Sequence, residues 1–558
     1  MDILQIDNLS FRYPDMEEMT LKKLHFTVKE GDFVVLAGAS GSGKTTLLRL
    51  LKRELAPFGD KTGTIYFNGQ KLEQWDDPTM VTNIGFVFQD PENQIIMDYV
   101  LQEITFGMEH VNIPPLEMKK RLAELVHFFG LEQLLHEKTT HLSGGQKQLI
   151  NLLSVLLLRP KVLLLDEPTS QLDPVAAKEL LQILERLNDE LGITIIIIEH
   201  RLEELFAMAD QLLFLHDGEI VYNGACRDVI AQIAQNADDR FRAYLPSVSQ
   251  LFLQKQRPII AENIPLSVKD ARRWLSSLSL EMPTEHSQPE QQFEGETLLE
   301  VNQLHFQYEK DAASILKNCS LSIKKGEFFG LVGGNGSGKT TLLQLCMGMH
   351  KQQKGKIMWM NKKLKSYKMD QLVSHFAYLP QHPLAFYIED TIGKEMNQII
   401  HSRQIADGEA KKQTICDKLQ VSDLLDRHPN DLSGGELQRA TIACLLLHTP
   451  TILCIDEPTK GLDPLSKKQL ADLLTSLQAE GLTIFMVTHD IEFAVQYVDR
   501  CAMLFDKHIV AEGSPEQLFK GNYFYTTTMN RATVGSPFGE RLTLEEMLQV
   551  WSKTKITI

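Results

Sequence analysis

Gly38-Ala39-Ser40-Gly41-Ser42-Gly43-Lys44-Thr45 is the stretch on which the fold turns. A short apolar run, Phe33–Ala37, leads into it, and a helical pattern opens at Lys44 and continues through Thr46. Glycines at these spacings let successive backbone N–H groups converge on phosphate oxygens, and the helix that follows adds a favourable dipole. Lys44 is placed to reach the outer phosphates, and the Thr45 hydroxyl to meet a Mg²⁺ ion. Strand, glycine-rich turn and helix together indicate an α/β protein with a mostly parallel sheet.

The same stretch occurs again. Gly333-Gly334-Asn335-Gly336-Ser337-Gly338-Lys339-Thr340-Thr341 follows the apolar run Phe328–Val332 at an offset of 295. Leu142-Ser143-Gly144-Gly145-Gln146 returns as Leu432-Ser433-Gly434-Gly435-Glu436, offset by 290. Leu165-Asp166-Glu167-Pro168-Thr169 returns as Ile455-Asp456-Glu457-Pro458-Thr459 at the same offset, and Glu199-His200 matches Thr488-His489. A fixed order at a nearly constant offset means two copies of one domain. We expect a first domain over 1–240, its C-terminal extension over 241–283, a polar linker over 284–297, a second domain over 298–521 and its extension over 522–558. The extensions are suggested by two similar amphipathic segments, Ile264–Leu275 and Leu542–Trp551.

Composition narrows the class further. The 558 residues carry 57 Lys and Arg against 73 Asp and Glu, a net charge of −16, which argues against a general nucleic-acid binder. The strongest apolar runs, Leu152–Leu158, Val162–Leu165 and Ile193–Ile198, fall far short of the roughly 20 residues needed to span a bilayer. The N-terminus lacks a signal-peptide pattern, and the seven cysteines form no Cys-x-x-Cys pair, so a cytoplasmic chain without zinc or iron–sulfur sites is expected.

Asp166 and Asp456 each end an apolar strand pattern, which sets a carboxylate at the sheet edge beside the phosphate loop as a Mg²⁺-associated acid acting largely through water. Glu167 and Glu457 follow as candidates to polarise an attacking water. Ser143 and Ser433 lie 23 residues before those aspartates and open helical patterns. With these motifs in this order, the chain resembles the ATP-binding-cassette ATPases over Ile3–Gly224 and Leu298–Gly513. The resemblance implies a P-loop NTPase fold in each half, ATP with Mg²⁺ as ligands, and hydrolysis as the reaction. It makes Tyr13 and Tyr308 the adenine-stacking aromatics, and Gln89 and Gln381 the glutamines that meet Mg²⁺ and couple to a membrane partner. Ser170–Asp173 and Lys460–Asp463 fit the loop between subunits, and His200 and His489 the switch histidines at the γ-phosphate. It also implies an intramolecular pseudo-dimer, in which Lys44, Asp166, Glu167 and His200 face Ser433–Glu436, while Lys339, Asp456, Glu457 and His489 face Ser143–Gln146. Leu149, where the family has Arg (as in Arg439), and Arg201, where Asp is commoner (as in Asp490), suggest unequal sites.

Among such ATPases, soluble ribosome-acting tandem forms resemble one another in a basic arm between cassettes. Here 241–297 holds six Lys or Arg against seven Asp or Glu. Phe88-Gln89-Asp90-Pro91-Glu92-Asn93-Gln94 is similar to the glutamine loop of energy-coupling-factor ATPases, and Pro265–Trp274 resembles the tail of the hydroxymethylpyrimidine/thiamine import group. This implies a peripheral protein on the cytoplasmic face of the membrane that powers import of a vitamin, a vitamin precursor or a metal ion. Its partners would be a transmembrane coupling protein and a small substrate-binding membrane protein, without nucleic acid. A sugar-importer ATPase or a ribosome-acting ATPase is the alternative. Ile95, Ile96, Leu384 and Phe386 are expected to receive a partner helix.

Overall fold

The computed structural model describes residues 1–14, 16–281, 295–309 and 313–557. The chain divides into two compact units, Met1–Ser267 and Val268–Ile558.

In the first unit a six-stranded sheet runs in the order Glu219–Gly224, Gln211–His216, Phe33–Ala37, Thr194–Ile198, Val162–Asp166, Ile84–Val87. All neighbours are parallel except the outermost hairpin pair. The strands Phe33–Ala37, Val162–Asp166 and Thr194–Ile198 are buried at every position, as a sheet covered on both faces requires. The second unit repeats the sheet with Phe328–Val332, Ile452–Asp456 and Thr483–Thr488 at its centre.

Each unit also carries a four-stranded antiparallel sheet, built in the first around Asp2–Arg12 and Leu21–Lys29 and in the second around Thr297–Phe306 and Leu316–Lys324. Leu21–Lys29 alternates buried and exposed positions along almost its whole length, the mark of a strand with one face on a core. A helical group packs beside the large sheet, where helix Gly144–Leu156 lies against strand Ile84–Val87. In the first unit Val100–His110, Pro115–Phe129 and Gly144–Leu156 share a small core of Val100, Ile104, Met108, Val126, Ile150 and Leu153.

Helix starts are dictated locally. Asp173 accepts from the N–H groups of Val175 and Ala176, with Pro174 at the first helical position; Asp463 and Pro464 do the same. Such a cap is worth about 1 kcal/mol.

The stretch expected as the first half's extension is shared between the units. Ser247–Lys255 packs in the first unit, and Ser249 Oγ donates to the Pro265 carbonyl at 2.6 Å. Helix Val268–Ser276 belongs to the second unit. There Arg272 Nε donates to the Arg531 carbonyl at 2.7 Å and the Trp274 ring stacks on Trp551 with centroids 5.5 Å apart. Strand Ser279–Glu281 pairs with Lys555–Thr557. The division between the compact units thus falls inside the stretch 241–283 expected as one extension. Most of the expected linker 284–297 lies outside the described residues, and Thr297 already begins a strand.

Candidate nucleotide sites

Both phosphate loops sit between a central strand and a helix. Gly43 and Gly338 immediately precede helices Lys44–Leu51 and Lys339–Cys346 with φ of 99° and 104°, in the left-handed region. A side chain at Gly38 would meet the Leu215 carbonyl oxygen at 2.1 Å, so only glycine lets the loop close against the neighbouring strand. Ser42 Oγ and Ser337 Oγ are buried without a hydrogen-bond partner, an arrangement that suits an incoming phosphate oxygen. Lys44 Nζ donates to the carbonyls of Gly38 and Ala39 at 2.9 and 2.7 Å, and Lys339 Nζ to Gly333 and Gly334 at 2.9 and 3.1 Å. Ser40, Gly41, Asn335 and Gly336 complete the loops.

The strand-end acids come to the same place. Thr45 Oγ1 donates to Asp166 Oδ1 at 3.0 Å, and Thr340 Oγ1 to Asp456 Oδ1 at 3.0 Å. Burial and the adjacent Glu167 raise the Asp166 carboxyl to about 6, against the pull of Thr45, Arg49 and Lys44. Burial also raises Asp456 to about 6, opposed by the Thr340 hydroxyl. A hydroxyl and a carboxylate meeting at a phosphate loop are oxygen donors of the kind Mg²⁺ takes. Among the described residues no cluster of three or more His, Cys, Asp or Glu could hold a metal by itself, so phosphate oxygens and water would have to complete the shell.

Glu167 and Glu457 take φ of 44° and 50°, a conformation that costs a non-glycine residue on the order of 1 kcal/mol. Each is held there by its N–H, which donates to the next strand at Ile198 O and Val487 O. Glu167 Oε2 accepts from Gln89 Nε2 at 2.6 Å, and its Oε1 lies 2.8 Å from His200 Nε2. Around Glu457 the partners are His489 Nδ1 at 2.7 Å and Lys339 Nζ at 3.3 Å. Burial pushes the Glu457 carboxyl up, but His489 and Lys339 together outweigh it and hold the group below its ordinary range. Gln381 is half-buried.

Tyr13 and Tyr308 hydroxyls pair with Thr46 and Thr341 at 3.1 and 3.0 Å, so each aromatic stands over the start of its loop helix. Ser143 and Ser433 cap helices Gly144–Leu156 and Gly434–Leu446 in reciprocal capping boxes with Gln146 and Glu436. Gly145 and Gly435 lie in the first turn of these helices.

Among the buried carboxylates that no motif singled out, three lie close to motif residues. Glu103 Oε2 accepts from the N–H groups of Ile96 and Met97 at 2.9 and 2.7 Å. Glu395 Oε2 does the same for Ile388 and Glu389 at 2.8 and 3.0 Å. Each fixes the chain that leaves the glutamine loop, and their offset of 292 matches the repeat. Glu199, fully buried before His200, accepts from Thr169 N at 2.7 Å; its place in the second copy is taken by Thr488.

A strand-loop-helix phosphate cradle, a strand-end acid and a neighbouring glutamate, present in both units of a mostly parallel α/β fold, define a tandem P-loop ATPase. The chain belongs to the ABC transporter family, whose pattern matches residues 21–170 and 316–460. It is 43% identical over 531 residues to a Bacillus thuringiensis subsp. konkukian (strain 97-27) protein named "Putative ABC transporter ATP-binding protein", with 94% of each chain covered. It is 30% identical over 522 residues to Bacillus subtilis (strain 168) YkoD, named "Putative HMP/thiamine import ATP-binding protein", with 93% of this chain and 92% of that one covered. Among solved structures, cbiO1 of Clostridium perfringens, described as part of the ABC transporter complex cbiONQ, aligns with 43% of this chain and 95% of its own at 31% identity and a TM-score of 0.38. The chain is thus an ATP-binding ATPase of the transport class. No helix among the described residues is long and apolar enough to cross a membrane.

Proposed function

We propose that this chain is the ATP-hydrolysing subunit of an energy-coupling-factor type importer for a vitamin, a vitamin precursor or a metal ion, acting at the cytoplasmic face of the membrane through contact with a transmembrane coupling protein and a small substrate-binding membrane protein. The observation that carries this reading is an apolar groove of about 330 Å³ beside the second glutamine loop. Met347, Met349, Met369, Phe376, Phe386 and Ile399 line it, with Glu395 and Arg403 also lining it. Methionines adapt to an incoming helix, and an amphipathic helix laid into such a groove is a common mode of recognition. In the first unit Ile96 is 69% exposed next to the corresponding loop. Kinship with a relative named for HMP/thiamine import supports the vitamin-precursor branch.

In this reading the phosphate loops bind ATP, with Lys44 and Lys339 leaving their own loop carbonyls to meet phosphate. Thr45 with Asp166, and Thr340 with Asp456, would hold Mg²⁺, which supplies charge neutralisation on the phosphates. Gln89 and Gln381 would stand near it. Glu167 and Glu457 orient and polarise the attacking water, and His200 and His489 hold those carboxylates and face the γ-phosphate. The Ser143–Gln146 and Ser433–Glu436 helix starts would close over the ATP held by the opposite half.

Charged substitutions at Ile96 and Phe386 test the docking. They should release the chain from detergent-extracted complexes with the two membrane subunits while leaving ATP binding intact. Complexes that survive both substitutions, or sedimentation with ribosomes instead, would overturn the importer reading.

A further inference from the structure

Strand Phe376–Leu379 is the outermost strand of the second unit's large sheet and lies beside the strand that ends in Asp456. Tyr378 on it pairs in register with Cys454, two residues before that acid. Its side chain lines the apolar groove. Its hydroxyl donates to Asp456 Oδ2 at 3.5 Å, while Thr340 takes Oδ1 at 3.0 Å. The Gln344 side chain faces the same tyrosine hydroxyl. Gln344 Oε1 lies 3.0 Å from His350 Nε2, and the His350 ring meets Tyr308 edge-on at 5.5 Å. One polar chain therefore runs from the aromatic over the phosphate loop to the strand-end acid, and one of its members is also groove wall.

The first unit lacks this chain. Phe86 holds the position of Tyr378, pairing with Leu164 two residues before Asp166. Arg49, five residues past Lys44 as Gln344 is past Lys339, acts on Asp166 by charge alone. The same carboxylate feels the charge of Arg49 in one copy and a groove-lining hydroxyl in the other.

We propose that Tyr378 is a positioning residue for Asp456 that fixes which carboxylate oxygen is presented to a divalent cation, and that movement of the groove wall reaches the second nucleotide site, and only that one, through it. At 3.5 Å the hydrogen bond is long enough for a small ring displacement to complete or break it. The part that concerns the groove rests on the docking reading above.

The full-length chain carrying Lys44→Ala, which removes phosphate contact at the first site, isolates the second. With AMP-PNP as nucleotide and Mn²⁺ as the probe, free Mn²⁺ is read by electron paramagnetic resonance. Tyr378→Phe should weaken Mn²⁺ binding roughly three- to tenfold, the range for one ordinary hydrogen bond, as suits a contact this long, with AMP-PNP affinity in EDTA unchanged. Phenylalanine is what the first copy carries at this position, so the variant is expected to fold. Unchanged Mn²⁺ affinity, or an equal loss of metal-free nucleotide affinity, would overturn the assignment. For the groove, Met369→Cys labelled with a bulky maleimide should shift Mn²⁺ affinity when Tyr378 is present and leave it unmoved in Tyr378→Phe. A label without effect beside Tyr378 would overturn the link to the groove, whereas the docking reading stands or falls on Ile96 and Phe386.

Discussion

In the first cassette Glu167 is gripped by an amide and an imidazole, Gln89 and His200. In the second, Glu457 is gripped by an ammonium and an imidazole, Lys339 and His489. The motifs that supply these residues are the same in both halves, yet the resting networks differ in charge. Under the proposed function Lys339 would have to release a carboxylate before serving a phosphate, and Gln89 would have to release one before Glu167 turned to water. The copies diverge again just beyond the switch histidine. Asp490 accepts from Phe493 N at 3.1 Å, binds Lys467 at 2.7 Å and starts helix Ile491–Tyr497. Arg201, in the same place, has no acceptor to offer a helix start, and the chain there makes only the short 3-10 turn Leu205–Ala207. Duplication preserved the residues aimed at nucleotide and let the holding contacts drift.

The largest effect expected is from Glu167→Gln with Glu457→Gln. An amide cannot polarise water as a carboxylate does, so steady-state turnover should fall on the order of 10²-fold or more, with ATP still bound by the intact loops. Near-wild-type hydrolysis in the double variant would break the assignment in both halves; a loss caused wholly by one substitution would show that the two sites are unequal in chemistry as well as in resting contacts.

The strand-end acids give an effect with a definite pH sign. Burial pushes the Asp166 carboxyl up to about 6 in the folded protein, from an ordinary aspartate value of 3.8. The folded state therefore favours the protonated acid, and that favourable contribution is complete below 3.8 and lost as pH rises through about 6. Asp166→Asn should accordingly raise the melting temperature of the metal-free protein at pH 7.5, and the gain should vanish towards pH 4. Asp456→Asn should behave alike, because its acid is raised to the same value. A gain independent of pH would contradict the burial argument.

Smaller again is the cap. Asp490→Ala should cost about 1 kcal/mol of stability in the second unit, whereas Arg201→Ala in the first should cost less than half of that. Denaturant unfolding followed separately for each unit would show it. Equal losses would remove the explanation offered for the missing helix.

Much of the site was legible because the chain repeats it. The phosphate loops, the strand-end Asp166 and Asp456 and the capped Ser143 and Ser433 helices are local patterns, in which a few neighbouring residues fix the backbone. The antiparallel sheets were legible in principle from the alternation of Leu21–Lys29, which the continuous apolar runs of the parallel strands overshadow. Glu103 and Glu395 have no local signature, since a buried carboxylate declares itself only through the N–H groups brought to it; their shared repeat offset was the available signal. Val268–Ser276 could not be placed from its periodicity, because an apolar stripe states that a helix is covered and not by what. Its real cover is the C-terminal tail, with Trp274 on Trp551.

The proposed function has each ATP held by the phosphate loop of one half and the Ser-Gly-Gly helix start of the other. Turnover of two double variants tests it most directly. Lys44→Ala and Ser433→Arg would then damage one and the same site, so their combination should be no slower than Lys44→Ala alone, the non-additivity expected of residues acting as a unit. Lys44→Ala with Ser143→Arg would damage both sites and should abolish hydrolysis. The reverse pattern, with Lys44→Ala and Ser143→Arg no worse than the single change, would mean that each half completes its own site and would contradict the account.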